Sequence, residues 1–320
     1  MSESSATALP AYARVISHPG GAWRRWWLHL ILRMTAKRMT FIDADIGKLR
    51  MQQAAFDARV GRIDPEARRT PIDCAGVAAE WIEVPESRAE RVLLYLHGGA
   101  WMFRYPLTHT SMVARICRRL RARALMVDYR LAPEHRFPAG SDDCHVAYRW
   151  LLGQGVNPRN IVIAGDSAGG NLTLVTLHRI KAAGEPMPAC AVAISPVVDF
   201  TLSSKSLVTN ERYDPMFTLA TVVALREMYA APEQFMQPSV SPLYADFAGL
   251  PPLLFQVGSI EVLRDESLRA AAKAHAAGVP VELEIWDGMA HVFQSLAALP
   301  QSGAAIGNMA HFINRQTGWS

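Results

Sequence analysis

Residues 160–171 read NIVIAGDSAGGN, and the reading of this stretch decides the fold. Ile161–Ala164 is a short, unbroken apolar run rich in β-branched residues, the pattern of a strand covered on both faces. A glycine-rich turn, Gly165 to Gly170, follows it. After the turn, Asn171–Lys181 repeats apolar positions such as Leu172, Val175 and Ile180 at helical spacing, so Ser167 lies on a strand-to-helix turn. Gly165 and Gly169 bracket the serine as G-x-S-x-G. Small residues there let strand and helix close around a strained serine whose hydroxyl is pushed out at the top of the sheet. The adjoining helix start offers unpaired N–H groups and a positive dipole end, which suit a developing oxyanion. The plain alternative is a glycine-rich turn that happens to contain serine, so the partners of Ser167 carry the reading.

Outward from this turn the chain alternates strand-like and helix-like segments. Strands are expected at Trp81–Val84, Arg91–Leu96, Ala124–Tyr129, Ala189–Ile194, Pro252–Val257 and Val281–Trp286. Helices are expected at Thr110–Arg121, Gly140–Leu152, Asp265–Ala277 and Gln301–Arg315. Such alternation predicts an α/β fold with a mostly parallel central sheet and helices on both faces. Two regions break the rhythm: residues 1–45, and residues 203–240 with a helical stretch at Thr218–Tyr229. Both are expected to form one composite helical cap over a pocket. The body is then residues 46–202 and 241–320.

Bulk composition narrows the function classes. Half of the 320 residues are hydrophobic, enough for a large core, and 33 Lys+Arg against 29 Asp+Glu leave a net charge of only +4. No dense basic run appears, so no nucleic-acid partner is expected. The four cysteines, Cys74, Cys117, Cys144 and Cys190, have no C-x-x-C spacing and read as buried free thiols of a reducing compartment such as the cytoplasm. The N-terminus lacks the layout of a signal peptide. Ala22–Met34, AWRRWWLHLILRM, has an apolar part too short to span a bilayer. Weak contact with a membrane surface is compatible with it, but packing over a pocket or core is the expected role.

The serine needs a cradle and a base. Seventy residues earlier stands His97-Gly98-Gly99-Ala100-Trp101, directly after the strand RVLLYL. Consecutive glycines there let backbone N–H groups approach a substrate unobstructed, which is what an oxyanion hole requires. Of ten histidines, only His291, in WDGMAHVF, lies in a short loop after a late strand, where the chain order nucleophile, acid, base puts the base. His18, His29 and His109 come too early or in helix-like context, His135 lies in a loop, and His275 on a helix face; these read as surface or structural histidines. The acid belongs after the strand PLLFQV, where GSIEVLRDES offers Glu261, Asp265 and Glu266.

HGGAW, GDSAGGN, DYRLAPEHRFPA and the late histidine together resemble the hormone-sensitive-lipase-like branch of the α/β-hydrolases, the bacterial family IV esterases. The resemblance covers about residues 75–315, and the forms GDSAGG and SPLYADFAGLPPLLFQVGS are similar to its GDSAG subgroup. It implies Ser167 as nucleophile, His291 as base, and the N–H groups of Gly98, Gly99 and Ala168 as the oxyanion hole. Two positions depart from the pattern. Ala100 replaces the third glycine of the family's HGGG. The acid, in many relatives the first Asp of D-P-L-x-D, falls on Glu261 of E-V-L-R-D, with Asp265 at the second Asp. The resemblance assigns Glu261, which fills this role in part of the subgroup, and keeps Asp265 as the alternative.

The activity so implied is hydrolysis of short- to medium-chain carboxylic esters through an acyl-enzyme, with no metal or organic cofactor. Trp101, Met102, Phe103, Met216 and Phe217 are candidates to line an apolar acyl pocket, or else to pack the cap on the body. Asp166 and Asp128 are expected to be structural or pocket-shaping. Amide, lactone or carbamate hydrolysis would use the same triad, and a non-catalytic binder on the same scaffold is the reading from another class. The expected partner is a small-molecule ester; a homodimer, by analogy through a late edge strand, is a further possibility.

Overall fold

The computed structural model describes residues 9–39, 41 and 44–319. Among them nine strands form one sheet: β1 (Ala13–Ile16), β2 (Arg68–Cys74), β3 (Val77–Glu83), β4 (Arg88–Leu96), β5 (Ala122–Val127), β6 (Ile161–Asp166), β7 (Cys190–Ile194), β8 (Leu253–Gly258) and β9 (Val281–Trp286). Their spatial order is β1-β9-β8-β7-β6-β4-β5-β3-β2. The β2–β3 and β3–β5 pairs are antiparallel and the rest are parallel.

The continuous apolar runs of β4 and β6 follow from burial on both faces. Val92, Leu94, Leu96, Ile161 and Ile163 join one core with helices α4 (Ala139–Gly153), α5 (Ala168–Ala182) and α8 (Arg264–Ala276). Leu93, Tyr95, Val162 and Ala164 join the other with α3 (Pro106–Leu120) and α9 (Pro300–Thr317). Successive residues thus alternate between two cores, as a period of two requires. The chain runs from β4 outward to β5 and then returns across β4 to β6. Strand order therefore reverses between β4 and β6, the kind of switch point at whose C-terminal ends α/β sheets bind their ligands. His97-Gly98-Gly99 leaves β4 at that point and Ser167 leaves β6 beside it.

Two elements differ from expectation. The strand expected at Trp81–Val84 is the longer β3, and it pairs with β2, whose residues are mostly exposed and so carry no apolar signature. Ala13–Ile16, within the segment expected as cap, pairs in parallel with β9 and occupies the late sheet edge through which a dimer was considered. Helix α1 (Ala22–Met34) packs Leu28 against the cluster around Trp286 and Phe293, as a packing role requires, yet buries none of its residues fully. Helix α2 (Ile46–Val60) follows, with the Asp45 side chain accepting the Lys48 N–H at its start. The 203–240 insertion contains α6 (Ser206–Thr209) and α7 (Leu219–Tyr229), the latter begun by the Thr218 side chain accepting the Thr221 N–H. All four cysteines are free and buried. Among the described residues no helix is long and apolar enough to cross a membrane.

Candidate active site

Ser167 sits at φ 55°, ψ −117°, between the last residue of β6 and the first of α5. A non-glycine residue at positive φ is strained by about 1–3 kcal/mol, so the surroundings must hold it there. They do so by close approach. A Cβ on Gly169 would lie 1.8 Å from the Leu96 carbonyl oxygen, and one on Gly165 would lie 2.3 Å from the Gly169 oxygen. The glycines of G-x-S-x-G are thus required by backbone-on-backbone packing. The Ser167 N–H donates to the Ile194 oxygen at 2.8 Å, and the Asn171 amide donates to the Val197 and Val240 carbonyls at 2.9 Å each, anchoring the helix start.

The loops after β8 and β9 meet because a Cβ on Gly258 would lie 2.0 Å from the Met289 oxygen; no side chain fits between them. The contact brings His291 Nδ1 to 2.8 Å from Glu261 Oε2. Both residues are buried. Glu261 Oε1 in turn accepts the Gly258 N–H at 2.5 Å and the Ser195 hydroxyl at 2.8 Å. Burial pulls the His291 imidazole down, but its hydrogen bond and charge interaction with Glu261 outweigh burial and hold it above its usual value. His291 Nε2 is buried and bonded to nothing among the described residues, Ser167 included. Asp265 is remote from this pair: its carboxylate accepts the Ser206 N–H at 3.0 Å and pairs with Arg264 at 2.9 Å. Glu266, the third acid of the stretch, accepts from Ser204 Oγ and the Val198 N–H.

The expected cradle needs one correction. The Gly98 N–H donates to Asp166 Oδ1 at 3.1 Å and is not available to a substrate. A Cβ there would lie 2.1 Å from Asp166 Oδ2, so glycine is demanded by that contact. The N–H groups of Gly99, Ala100 and Ala168 have no acceptor among the described residues. Ala100 has φ 54°, a left-handed conformation, where the resembling family carries its third glycine.

Behind the cradle lies a network that sequence reasoning left out. Asp166 accepts from Tyr95 Oη at 2.7 Å and faces His109 Nε2 at 3.3 Å, while His109 Nδ1 faces the Tyr105 carbonyl at 3.1 Å. Both His109 nitrogens meet acceptors, which calls for the doubly protonated ring. Burial lowers the His109 pKa, but Asp166 outweighs it and the net shift is upward; reciprocally, burial raises the Asp166 carboxyl and His109 brings it below its usual range. The signal was the placement of His109 on the buried face of α3. The DYRLAPE stretch also supports the loop. Tyr129 Oη donates to the His97 carbonyl at 2.8 Å and its ring stacks on His97, the Ala132 N–H donates to the Trp101 oxygen at 2.9 Å, and Glu134 pairs with Arg50. Asp128 pairs with Arg104 at the surface.

Of the candidate pocket residues, Trp101, Met102 and Phe103 are buried, and Phe103 meets Phe41 with ring centroids 6.0 Å apart. Trp101 stacks on Tyr229 of α7 with ring centroids 4.4 Å apart. Phe217 is half-buried and meets the His291 ring edge-on at 5.0 Å, with Met216 half-buried beside it. Both N–H groups, Met216 and Phe217, are held by Asp214 Oδ1, whose Oδ2 takes the Val262 N–H next to Glu261. Among the described residues no cluster of three or more metal-ligating side chains comes together.

Residues 93–295 match a sequence model of the alpha/beta hydrolase fold. A solved esterase described as belonging to the bacterial hormone-sensitive lipase family superposes with a TM-score of 0.86 at 37% identity, over 93% of this chain and 100% of that one. The chain is an α/β hydrolase of the hormone-sensitive-lipase-like branch. This hydrolase is also 34% identical to an esterase of Acinetobacter venetianus, over 92% of its own length and 97% of the relative's. With the carboxylesterase/phospholipase LipF of Mycobacterium tuberculosis it shares 35% identity, over 90% of this chain and 80% of that protein.

Proposed function

We propose that this α/β hydrolase is a serine carboxylesterase acting on short- to medium-chain acyl esters, with Ser167 as nucleophile, His291 as general base and acid, and Glu261 as the carboxylate that orients it. The observation carrying the proposal is the buried 2.8 Å contact from Glu261 Oε2 to His291 Nδ1, with Nε2 left free. A carboxylate on Nδ1 fixes that nitrogen as the protonated one, so Nε2 bears the lone pair a base needs.

In the proposed reaction Nε2 takes the Ser167 proton as Oγ attacks the ester carbonyl. The carbonyl oxygen becomes an oxyanion received by the free N–H groups of Gly99, Ala100 and Ala168, each worth about a hundred- to a thousandfold in rate. The imidazolium returns its proton to the leaving alcohol, and an acyl-enzyme remains. Water then repeats the sequence and releases the acid. The cap reading, for the part of residues 1–45 that follows β1 together with 203–240, draws support from Arg33, which donates to the carbonyls of Arg212 and Tyr213, and Lys37, which donates to those of Glu211 and Asp214. Those bonds tie the N-terminal segment to the loop that carries Asp214 and Phe217.

The test is hydrolysis of p-nitrophenyl esters from acetate to palmitate by wild type and Ser167→Ala. Activity should peak at short acyl chains and fall by about a thousandfold or more with Ser167→Ala. A folded wild type inert toward every ester, or a Ser167→Ala protein that keeps its rate, would sink the proposal.

A further inference from the structure

Helix α1 displays an apolar stripe that is exposed among the described residues. Trp23 is 69% exposed, Trp26 54% and Trp27 42%, and Ile31 and Met34 continue the exposed stripe. The three indoles pack on one another, with centroids 5.0–5.8 Å apart, so they form one platform. At about 100° per residue, positions 23, 27, 31 and 34 fall on one side of the helix, with Arg24 and Arg33 flanking it on opposite sides. An exposed aromatic cluster of this size on a protein surface marks an interaction site.

Charge identifies the occupant. Helix α1 contains no acidic residue, and Lys37 and Arg38 follow it directly. Arg24, Arg25, Arg33 and Lys37 are held by main-chain carbonyls, of Ala298, Asp287, Arg212 with Tyr213, and Glu211 with Asp214. A carbonyl fixes the direction of a guanidinium without cancelling its charge, so this face keeps a concentrated positive field. Burial first, and then the charges of Arg25 and Arg33, lower the pKa of His29 to about 4. Indoles that reach outward beside Arg24, Arg25 and Arg33, which pair with no carboxylate among the described residues, match the interfacial zone of a bilayer, where rings sit at headgroup depth and cations meet lipid phosphates. A second copy of this chain fits poorly, because two-fold pairing would set one arginine-flanked stripe against another.

We infer that α1 docks this protein on an anionic lipid surface, through Trp23, Trp26 and Trp27 with Arg24 and Arg33 at the flanks. The inference does not depend on the catalytic reading. It concerns binding alone, although Arg25 reaches the Asp287 carbonyl and so places the docking face beside the loop that ends in His291.

The experiment is co-sedimentation of the full chain with vesicles of phosphatidylcholine alone or with about 30 mol % phosphatidylglycerol, at low and at high salt. Wild type should bind the anionic vesicles at least about tenfold more tightly than the neutral ones, and lose most of that preference at high salt. Trp23→Ser/Trp26→Ser should weaken binding by about tenfold or more while the urea unfolding midpoint stays at the wild-type value, which shows that the fold is intact. Arg24→Glu should remove much of the anionic preference. Equal binding to both vesicle types, no binding to either, or full binding by the double tryptophan variant would each overturn the inference. A concentration-dependent dimer abolished by Trp23→Ser/Trp26→Ser, with no vesicle binding, would assign the patch to self-association instead.

Discussion

Replacing Glu261 by glutamine tests the proposed triad at its least redundant atom. Two fixed donors, the Gly258 N–H at 2.5 Å and the Ser195 hydroxyl at 2.8 Å, converge on Oε1. They will accept only the amide oxygen of a glutamine at that position. The amide NH2 is then forced into the place of Oε2, facing His291 Nδ1 across the 2.8 Å gap. A donor there requires Nδ1 to accept, so the ring proton moves to Nε2, the nitrogen that should be taking the Ser167 proton. The variant is isosteric, keeps two hydrogen bonds and reverses the third, so the fold should survive while the base is in the wrong tautomer. A loss of about 10⁴ in kcat, or about 5.5 kcal/mol of barrier, is expected by analogy with other wrong-tautomer triads. The KM should move far less. The assay is steady-state hydrolysis of p-nitrophenyl butyrate beside Asp265→Asn, whose carboxylate serves Ser206 and Arg264 and whose loss should leave kcat within about tenfold of wild type. A Glu261→Gln enzyme within about tenfold of wild type, or an Asp265→Asn enzyme as damaged as Glu261→Gln, would refute the reasoning.

Two further predictions concern stability. Burial pushes the Glu266 carboxyl up from 4.5 to about 7, against the pull of hydrogen bonds from Ser204 and the Val198 N–H. The folded state therefore holds this proton over a range where the unfolded chain has released it. Stability should fall as pH rises from about 4.5 to 7, by about 3 kcal/mol at most, and the deficit persists above that. Urea titrations should show Glu266→Gln gaining on wild type between pH 4.5 and pH 8; a gap that stays constant would mean Glu266 titrates normally. Gly169→Ala would put a methyl 1.8 Å from the Leu96 oxygen, pushing α5 off β4, and should cost about 2–3 kcal/mol or more along with activity. Gly303→Ala, in α9 with nothing within 4 Å of the added carbon, should gain about 0.5–1 kcal/mol. Equal denaturation midpoints for the two variants would contradict the close-approach account.

Much of the framework was legible because its causes are local. A buried parallel strand must be apolar at every position, as Ile161–Ala164 is, and a helix must repeat near 3.6 residues, so α/β alternation is written in the chain itself. The serine turn was legible for the same reason, since the close backbone packing around Ser167 calls for glycines two residues to either side. Strands whose residues stay exposed, such as β2, left no such mark. Nor did β1, whose four residues pair with β9 only because the sheet ends there. His109 looked like a structural histidine and is one, yet its partner Asp166 lies 57 residues later, next to Ser167.

The sequence by itself determined the strand–turn–helix around Ser167, the glycine loop after β4, and a histidine after the last strand, because each depends on neighbours within a few residues. Only the tertiary structure decided that Glu261 and not Asp265 meets His291, that Asp166 takes the Gly98 N–H and leaves Gly99 and Ala100 free, and that the tryptophans of α1 face outward. Those outcomes depend on which loops the strand order brings together and on which N–H groups find an acceptor first. Residues 30 to 70 positions apart are joined there, and no local periodicity reports on the distance between them.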